Sequence, residues 1–242
     1  MSDLPLILLP GLGATGEIFA PQRLAFPNLR TPEWPDPARN ETLATYARRL
    51  AAKVDPGVPC VVGGISFGGI LATELCKHLD ARQCVVISSV RHPEYLPLRI
   101  RILLPLARHV PTVAVKLGQA LLRAVGPIAR VVLSKSTLQL YRQGCDARPE
   151  IVSWSLWALA NWEPSADAVP CEIVQLHGSR DFVFPPKCAP GAHVVPGGRH
   201  VLTVSRPTET NSFLRRVLER DGESPVSVHL GNHVDLDQSP ER

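Results

Sequence analysis

The chain has 242 residues, of which 45% are hydrophobic and 20% are charged, and this composition suits one sizeable globular domain and excludes a largely disordered protein. The net charge is only +4 and no nucleic-acid-binding motif accompanies it, so we expect no nucleic-acid partner. No apolar stretch approaches the roughly 18 residues that span a bilayer, and no basic segment of a signal peptide begins the chain. The six cysteines follow no paired spacing, which favours a reducing compartment. We therefore expect a soluble protein of the cytoplasm without an integral membrane segment.

Short apolar runs alternate with helical patterns, which is typical of a parallel sheet with crossover helices. Asn40 or Thr42 is the expected N-cap of the first long helix, because both residue types cap helices well. In chain order, the predicted elements are strand 4–9, helix 43–54, strand 58–65, helix 69–79, strand 83–89, strand 172–176, strand 192–195 and helix 207–218.

Residues 92–169 break this alternation. They are rich in Leu, Val, Ala and Arg and are interrupted by prolines, so that several short amphipathic helices are expected there. We interpret this segment as a helical lid inserted over the sheet. The core then comprises residues 1–91 and 170–222, and residues 223–242 form a polar C-terminal tail that is peripheral to the fold.

The strongest functional signal is the sequence Gly64-Ile65-Ser66-Phe67-Gly68, which matches the pattern G-x-S-x-G. The pattern alone is weak, and a serine in an ordinary Gly-rich turn is the alternative. Its context is more specific, because a predicted strand enters the motif and a predicted helix leaves it. A serine in such a turn has a strained backbone, so its neighbours two residues away must lack bulk, as Gly64 and Gly68 do.

With this motif the chain resembles the α/β-hydrolase superfamily, in its esterase and lipase-like branch, over nearly all of its length outside the insertion. The resemblance implies an α/β fold with a mostly parallel sheet, flanking helices and a serine nucleophile. The family's dehalogenases and epoxide hydrolases carry an Asp at this position, so those activities are not expected. The family order of catalytic residues is nucleophile, acid and histidine, which directs the search for the other two.

Two later turns resemble the acid and histidine turns of the family. Asp181 follows a predicted strand and Gly178, and a proline comes shortly after it; His200 follows the last predicted strand and Gly197-Gly198. A turn-forming Asp and a surface-loop His are the alternatives. His177 and His193 are weaker candidates, since one precedes the acid turn and the other lies within a strand.

The resemblance assigns a role to each of these residues. Ser66 is the nucleophile, His200 takes its proton, and Asp181 holds the imidazole in the useful tautomer and stabilises its protonated form. The backbone N–H of Phe67 is the first expected oxyanion donor, because that residue follows the nucleophile. The second is assigned by position to the N–H of Leu12, in a loop where the family often has His-Gly and this chain has Pro-Gly11.

These roles imply hydrolysis of an ester, or of a thioester or amide, through an acyl-enzyme intermediate, with a small acyl substrate and no metal or organic cofactor. A non-catalytic binding protein on the same fold is one alternative, and a cofactor-free lyase or perhydrolase with the same triad is another. His229 and His233 have the spacing of a metal pair, but their polar, Gly-containing surroundings favour no metal site. Three tryptophans at 154, 157 and 162 favour packing over a substrate platform.

Charge is distributed unevenly along the chain, because the cations between residues 91 and 142 are opposed only by one acid, Glu94. These cations are Arg91, Arg99, Arg101, Arg108, Lys116, Arg123, Arg130, Lys135 and Arg142. Apolar side chains are interspersed among them: Leu103, Leu104, Leu106, Leu117, Leu121, Leu122 and Val125. An apolar face flanked by cations suits an anionic or amphiphilic substrate, with an ordinary solvated lid as the alternative.

Overall fold

All six strands at the centre of the protein run parallel, in the order β2-β1-β3-β4-β5-β6. The computed structural model describes residues 4–133, 135–163 and 168–222. The strands are β1 (Leu6–Leu9), β2 (Leu29–Arg30), β3 (Cys60–Ile65), β4 (Ala81–Ile87), β5 (Glu172–Gly178) and β6 (His193–Val195). Helices cover this sheet, which confirms the predicted α/β class with a parallel sheet.

Ten α-helices belong to the described part of the chain. They are α1 (Ala20–Ala25), α2 (Leu43–Val54), α3 (Phe67–Leu75), α4 (Leu98–Ala107), α5 (Thr112–Ala124), α6 (Gly126–Val132), α7 (Lys135–Asp146), α8 (Pro149–Ala160), α9 (Leu202–Ser205) and α10 (Pro207–Gly222). Helices α4 to α8 all lie between β4 and β5, within the segment that the sequence predicts as an insertion. None of the described helices is long and apolar enough to cross a membrane.

Two apolar layers hold the sheet between its helices. On one face, α2 and α3 bury Tyr46, Leu50 and Ile70 against the strands. On the other face, Phe19 and apolar residues of α1, α9 and α10, among them Leu214, form the second layer. Because both faces are covered, β1 and β3 are apolar along their whole length and do not alternate with polar residues, as the short apolar runs of the sequence indicate.

Trp154 packs α8 against α2 and the residues before it. Its ring centroid lies 4.2 Å from that of Tyr46 on α2, and its indole N–H donates to the carbonyl of Glu41 at 2.7 Å. Trp162 is buried as well. These contacts favour the packing interpretation of the tryptophans over a substrate platform.

The boundaries of the elements differ from the predictions in a few places. Thr42 caps α2, with its hydroxyl accepting from the Thr45 N–H, whereas Asn40 adopts a left-handed turn at φ 56°. The helix predicted at 69–79 starts earlier, at Phe67, and its last turn is a 3-10 turn. Three short elements were not predicted from the sequence: β2, α1 and α9, which have two, six and four residues. The predicted tail, with His229 and His233, lies outside the described residues.

Candidate active site

Ser66 occupies the sharp turn between β3 and α3. Its backbone has φ 55° and ψ −127°, a conformation that costs a non-glycine residue about 1–3 kcal/mol. The surrounding backbone imposes it: the Ser66 N–H donates to the carbonyl of Ile87 at 3.0 Å, and its carbonyl accepts from the N–H of Gly69 at 2.9 Å. The side chain is therefore presented at the carboxyl end of the sheet, as a nucleophile elbow requires.

The glycines on either side of Ser66 have no space for a side chain. A Cβ at Gly64 would lie 2.8 Å from the carbonyl oxygen of Leu9 and against the backbone of Gly68, and a Cβ at Gly68 would lie 2.7 Å from the carbonyl carbon of Leu9. The motif therefore keeps both glycines because the turn is pressed against the end of β1. This is the physical reason for the spacing seen in the sequence.

Asp181 and His200 form a hydrogen-bonded pair. The imidazole Nδ1 of His200 lies 3.1 and 3.0 Å from the two carboxylate oxygens of Asp181. The same carboxylate accepts from the N–H groups of Val183 and Phe184 at 2.8 and 3.0 Å. The Asp181 side chain is fully buried and that of His200 is 22% exposed, so the imidazole is accessible while the carboxylate behind it is not. Since a carboxylate only accepts hydrogen bonds, the donor in this contact is Nδ1–H of His200.

Backbone hydrogen bonds fasten the acid turn to the histidine loop. The Ser179 N–H donates to the carbonyl of Val195 at 3.0 Å, and the Arg180 N–H donates to that of Gly198 at 2.8 Å. A Cβ at Gly178 would press on the Gly198 backbone. The two loops therefore hold the Asp181–His200 pair mainly through their main chains, together with the Ser179 hydroxyl, which accepts from the Gly197 N–H at 2.8 Å.

Ser66 and this pair lie at the same end of the sheet. The strands β3, β5 and β6 are parallel, and each of these residues follows the carboxyl end of its strand. The described residues contain a direct hydrogen bond between Asp181 and His200, but none between the Ser66 hydroxyl and His200. In enzymes without substrate such catalytic hydrogen bonds are often long and tighten when the substrate binds.

The two predicted oxyanion donors have no competing partners. Neither the N–H of Phe67 nor that of Leu12 is hydrogen-bonded to another of the described residues. Phe67 opens α3, where the first N–H groups of a helix lack partners within the helix. The Leu12 loop also approaches Ser66, since a Cβ at Gly11 would lie 3.7 Å from the Ser66 hydroxyl oxygen. The loop thus has a glycine next to the Ser66 side chain.

Ser89, which was not predicted as a site residue, contacts the backbone of Ser66. Its hydroxyl donates to the carbonyl of Ser66 at 2.6 Å, and a Cβ at Gly69 would lie 2.7 Å from the Ser89 Cβ. The signal in the sequence is the pair of polar serines that ends an otherwise apolar predicted strand. Polar residues at the end of a buried strand indicate a contact with a site at the carboxyl end of the sheet.

Of the two weaker histidine candidates, only His177 lies near the pair. His193 packs instead on Phe213, with ring centroids 5.9 Å apart. His177 is fully buried, and its Nδ1 is 3.3 Å from the carbonyl oxygen of Phe184. Burial lowers the pKa of the His177 imidazole, and the nearby His200 acts in the same direction while Asp181 opposes it. His177 is thus a neutral packing residue behind the site.

This lowered pKa makes stability depend on pH. Below the ordinary histidine pKa of about 6.5, the unfolded chain binds a proton that folded His177 does not, so we expect the free energy of unfolding to fall as the pH drops from about 7 to about 5. In His177→Gln the amide can still donate to the Phe184 carbonyl and does not titrate. Urea unfolding across this range should therefore give a shallower pH dependence for the variant; equal slopes would contradict the prediction.

A cavity of about 400 Å³ opens beside the loop of Gly11 and Gly13. Trp34 and Ile151 contribute apolar walls to it, and its charged lining includes the acids Glu33 and Asp146 as well as Arg148. Gly11 lines this cavity and also lies against the Ser66 side chain, so the cavity opens close to Ser66.

Comparison with known proteins places these features in context. Residues 6–213 match the model of the Alpha/beta hydrolase family, and the comparison with curated proteins gives no match. Similar solved structures include a thermophilic esterase from Thermogutta terrifontis, with malate bound (17% identity, 90% of each chain covered, TM-score 0.69). MenH from S. aureus is 12% identical, with 92% of this chain and 96% of that chain covered and a TM-score of 0.66. The RedJ thioesterase of the prodiginine pathway in Streptomyces coelicolor is 17% identical, with 91% and 90% covered and a TM-score of 0.56. At these identities the structural likeness shows a shared fold.

Proposed function

Since the chain belongs to the alpha/beta hydrolase family, we propose that it is a serine hydrolase that cleaves an acyl ester through an acyl-enzyme intermediate. The observation that carries the proposal is the strained backbone of Ser66, at the same carboxyl end of the sheet as the hydrogen-bonded Asp181–His200 pair. Backbone strain of this size persists where the surroundings impose it for a function.

The proposed reaction begins with attack of the Ser66 oxygen on the substrate carbonyl. The hydroxyl proton passes to Nε2 of His200, and Asp181 stabilises the imidazolium through Nδ1. The N–H groups of Phe67 and Leu12 bind the developing oxyanion, and each such donor contributes about 3–4 kcal/mol to lowering the barrier. His200 then protonates the leaving alcohol, and a water molecule activated by the same imidazole releases the acid and regenerates Ser66.

The substrate is proposed to be a small molecule, and the triad supplies nucleophile, base and oxyanion stabilisation without a metal or organic cofactor. One similar structure is an esterase and another a thioesterase, so both bond types belong in the first assay. The cavity beside Gly11 is proposed to hold the acyl or the leaving-group side of the substrate, with Trp34 and Ile151 against its apolar part.

A fluorophosphonate probe tests whether Ser66 is an activated nucleophile. We expect stoichiometric labelling of the native protein and none of Ser66→Ala, whereas Ser205→Ala, which alters an exposed serine after the histidine loop, should label normally. Labelling that persists in Ser66→Ala would contradict the assignment. No labelling of the native protein would favour a non-catalytic binding protein.

A second assay then addresses the reaction. Esters and thioesters of increasing acyl length, offered to the native protein and to Ser66→Ala, should give turnover only with the native protein. A labelled protein that hydrolyses none of them would favour a lyase or perhydrolase that uses the same triad.

A further inference from the structure

Three consecutive helices of the insertion expose an unusual amount of aliphatic surface. Of the eighteen large apolar side chains that are exposed among the described residues, twelve lie between residues 98 and 132. They are Leu98, Ile102, Leu103, Leu106, Val113, Leu117, Leu121, Leu122, Val125, Ile128, Val131 and Val132. We call this set, on α4, α5 and α6, the aliphatic face. Apolar surface concentrated in this way marks an interaction site, whereas scattered apolar residues do not.

The aliphatic face has a regular pattern that points outward. On α5, Val113, Leu117 and Leu121 are spaced four residues apart, so they share one side of the helix, and they are 74%, 62% and 64% exposed. The buried residue of that helix is the polar Gln119, whose amide donates to the carbonyls of Gly144 and Ala147. The usual orientation of an amphipathic helix is therefore reversed, with its apolar stripe directed away from the protein. On α4, Leu98, Ile102 and Leu106 repeat the same arrangement.

Cations accompany the aliphatic face and acids are missing from it. The sequence has no Asp or Glu between residues 95 and 145. Lys116 and Arg123 reach Glu150 and Asp146, which lie beyond that stretch. Arg101, Arg108 and Arg130 are exposed and have no ion-pair partner in the part of the chain that the structure describes, although Arg101 and Arg108 line a groove to which Glu94 also belongs. The surface thus combines unpaired positive charge with exposed leucine, isoleucine and valine.

From this combination we propose that the aliphatic face binds the surface of an anionic lipid bilayer. Helices that lie in a membrane interface carry an apolar stripe bordered by Lys and Arg, and they bind through buried apolar area together with attraction to anionic headgroups. Such lipids are found in the cytoplasmic leaflet. A second copy of this chain suits the face poorly, because pairing two such faces would bring the unpaired arginines together. Protein interfaces are enriched in Tyr, Trp and Phe as well as in Arg, and the aliphatic face contains none of these three aromatic residues.

The aliphatic face continues to the candidate active site. Phe182, next to Asp181 in the acid turn, is 77% exposed, and Val183 is 40% exposed. Arg99 on α4 donates to the carbonyl of Val183 at 3.0 Å, which ties the start of the face to that turn. Docking would therefore bring the acid turn close to the headgroups. The inference extends the proposed function without depending on it, since binding can be measured in Ser66→Ala, where no turnover interferes.

Vesicle flotation of the full-length Ser66→Ala chain tests the proposal. We expect binding to phosphatidylcholine vesicles that contain about 30% phosphatidylserine, and much weaker binding to phosphatidylcholine alone. Replacing both Arg101 and Arg108 with Gln should weaken binding about thirtyfold, because each cation near an anionic leaflet contributes about a factor of five. Raising NaCl from about 0.1 M to about 1 M should have a similar effect, since the screening length falls from about 10 to about 3 Å.

Matched variants separate the aliphatic face from the rest of the surface. Leu106→Gln with Val113→Gln should reduce binding at least about tenfold, whereas Leu24→Gln with Val58→Gln, which removes an exposed Leu and an exposed Val elsewhere, should not. The control for the arginines is Arg216→Gln with Arg220→Gln on α10. Absence of binding to the anionic vesicles, or equal losses in test and control variants, would overturn the proposal. A concentration-dependent dimer without lipid, abolished by Leu106→Gln with Val113→Gln, would also overturn it, by identifying a second copy as the occupant.

Discussion

Ser66→Ala is expected to lower kcat for an acyl ester by about a millionfold, and His200→Ala by about as much, because nucleophile and base act as a unit. For the same reason, the double variant should be hardly slower than either single one. Steady-state kinetics with the best ester from the substrate screen measures these effects. A Ser66→Ala variant that keeps more than a trace of hydrolysis would show that another residue attacks the substrate.

A glycine at position 66 provides a control that alanine does not. Ser66 has φ 55°, a value that glycine adopts without steric cost and alanine does not. We therefore expect Ser66→Gly to be as inactive as Ser66→Ala but more stable, by about 1 kcal/mol in the free energy of unfolding. Chemical denaturation of the two variants measures the difference. Equal stability would mean that the turn relaxes when the side chain is lost.

Asp181→Asn is the second large effect, with an expected loss of about 10⁴ in kcat. The amide N–H that replaces a carboxylate oxygen can donate a hydrogen bond to Nδ1, so Nδ1 becomes the acceptor. The neutral imidazole then carries its proton on Nε2, which can no longer accept the proton of Ser66. The fold should survive, because the amide oxygen can still accept from the Val183 and Phe184 N–H groups that now bind the carboxylate. Circular dichroism checks the fold beside the kinetic measurement. Near-native rates would assign the role of the acid to a different carboxylate.

Much of the candidate site could be predicted because its residues are tied to backbone geometry. Gly64 and Gly68 are needed wherever a strand turns sharply into a helix, so the motif indicates the turn from the sequence alone. Asp181 and His200 are each preceded by a glycine at the end of a strand, and that local pattern can be found in a sequence. Ser89 could not be found in the same way, because its contact with the Ser66 carbonyl joins two strands and depends on their register.

The remaining differences have physical causes as well. Strand β2 has only two residues, too few to form a recognisable apolar run, and it exists because β1 offers it a partner. The helices between β4 and β5 show what helical periodicity cannot predict. The spacing of Val113, Leu117 and Leu121 predicts an apolar side of a helix, but it does not say whether that side meets the protein or the solvent. Only the packing of Gln119 toward α7 and the following loop shows that the stripe points outward.

The main-chain hydrogen bonds between the acid turn and the histidine loop affect how this site can evolve. Ser179 and Arg180 hold the loops together through their N–H groups, which every residue except proline supplies. Side chains at Arg180 and Arg199 can therefore drift through many substitutions while Asp181 and His200 keep their distance. Gly178 and Gly198 have no such freedom, because their backbones touch. Substitutions at Arg180 and Arg199, beside the two glycines, would therefore change the charge around the Asp181–His200 pair without disrupting the pair itself.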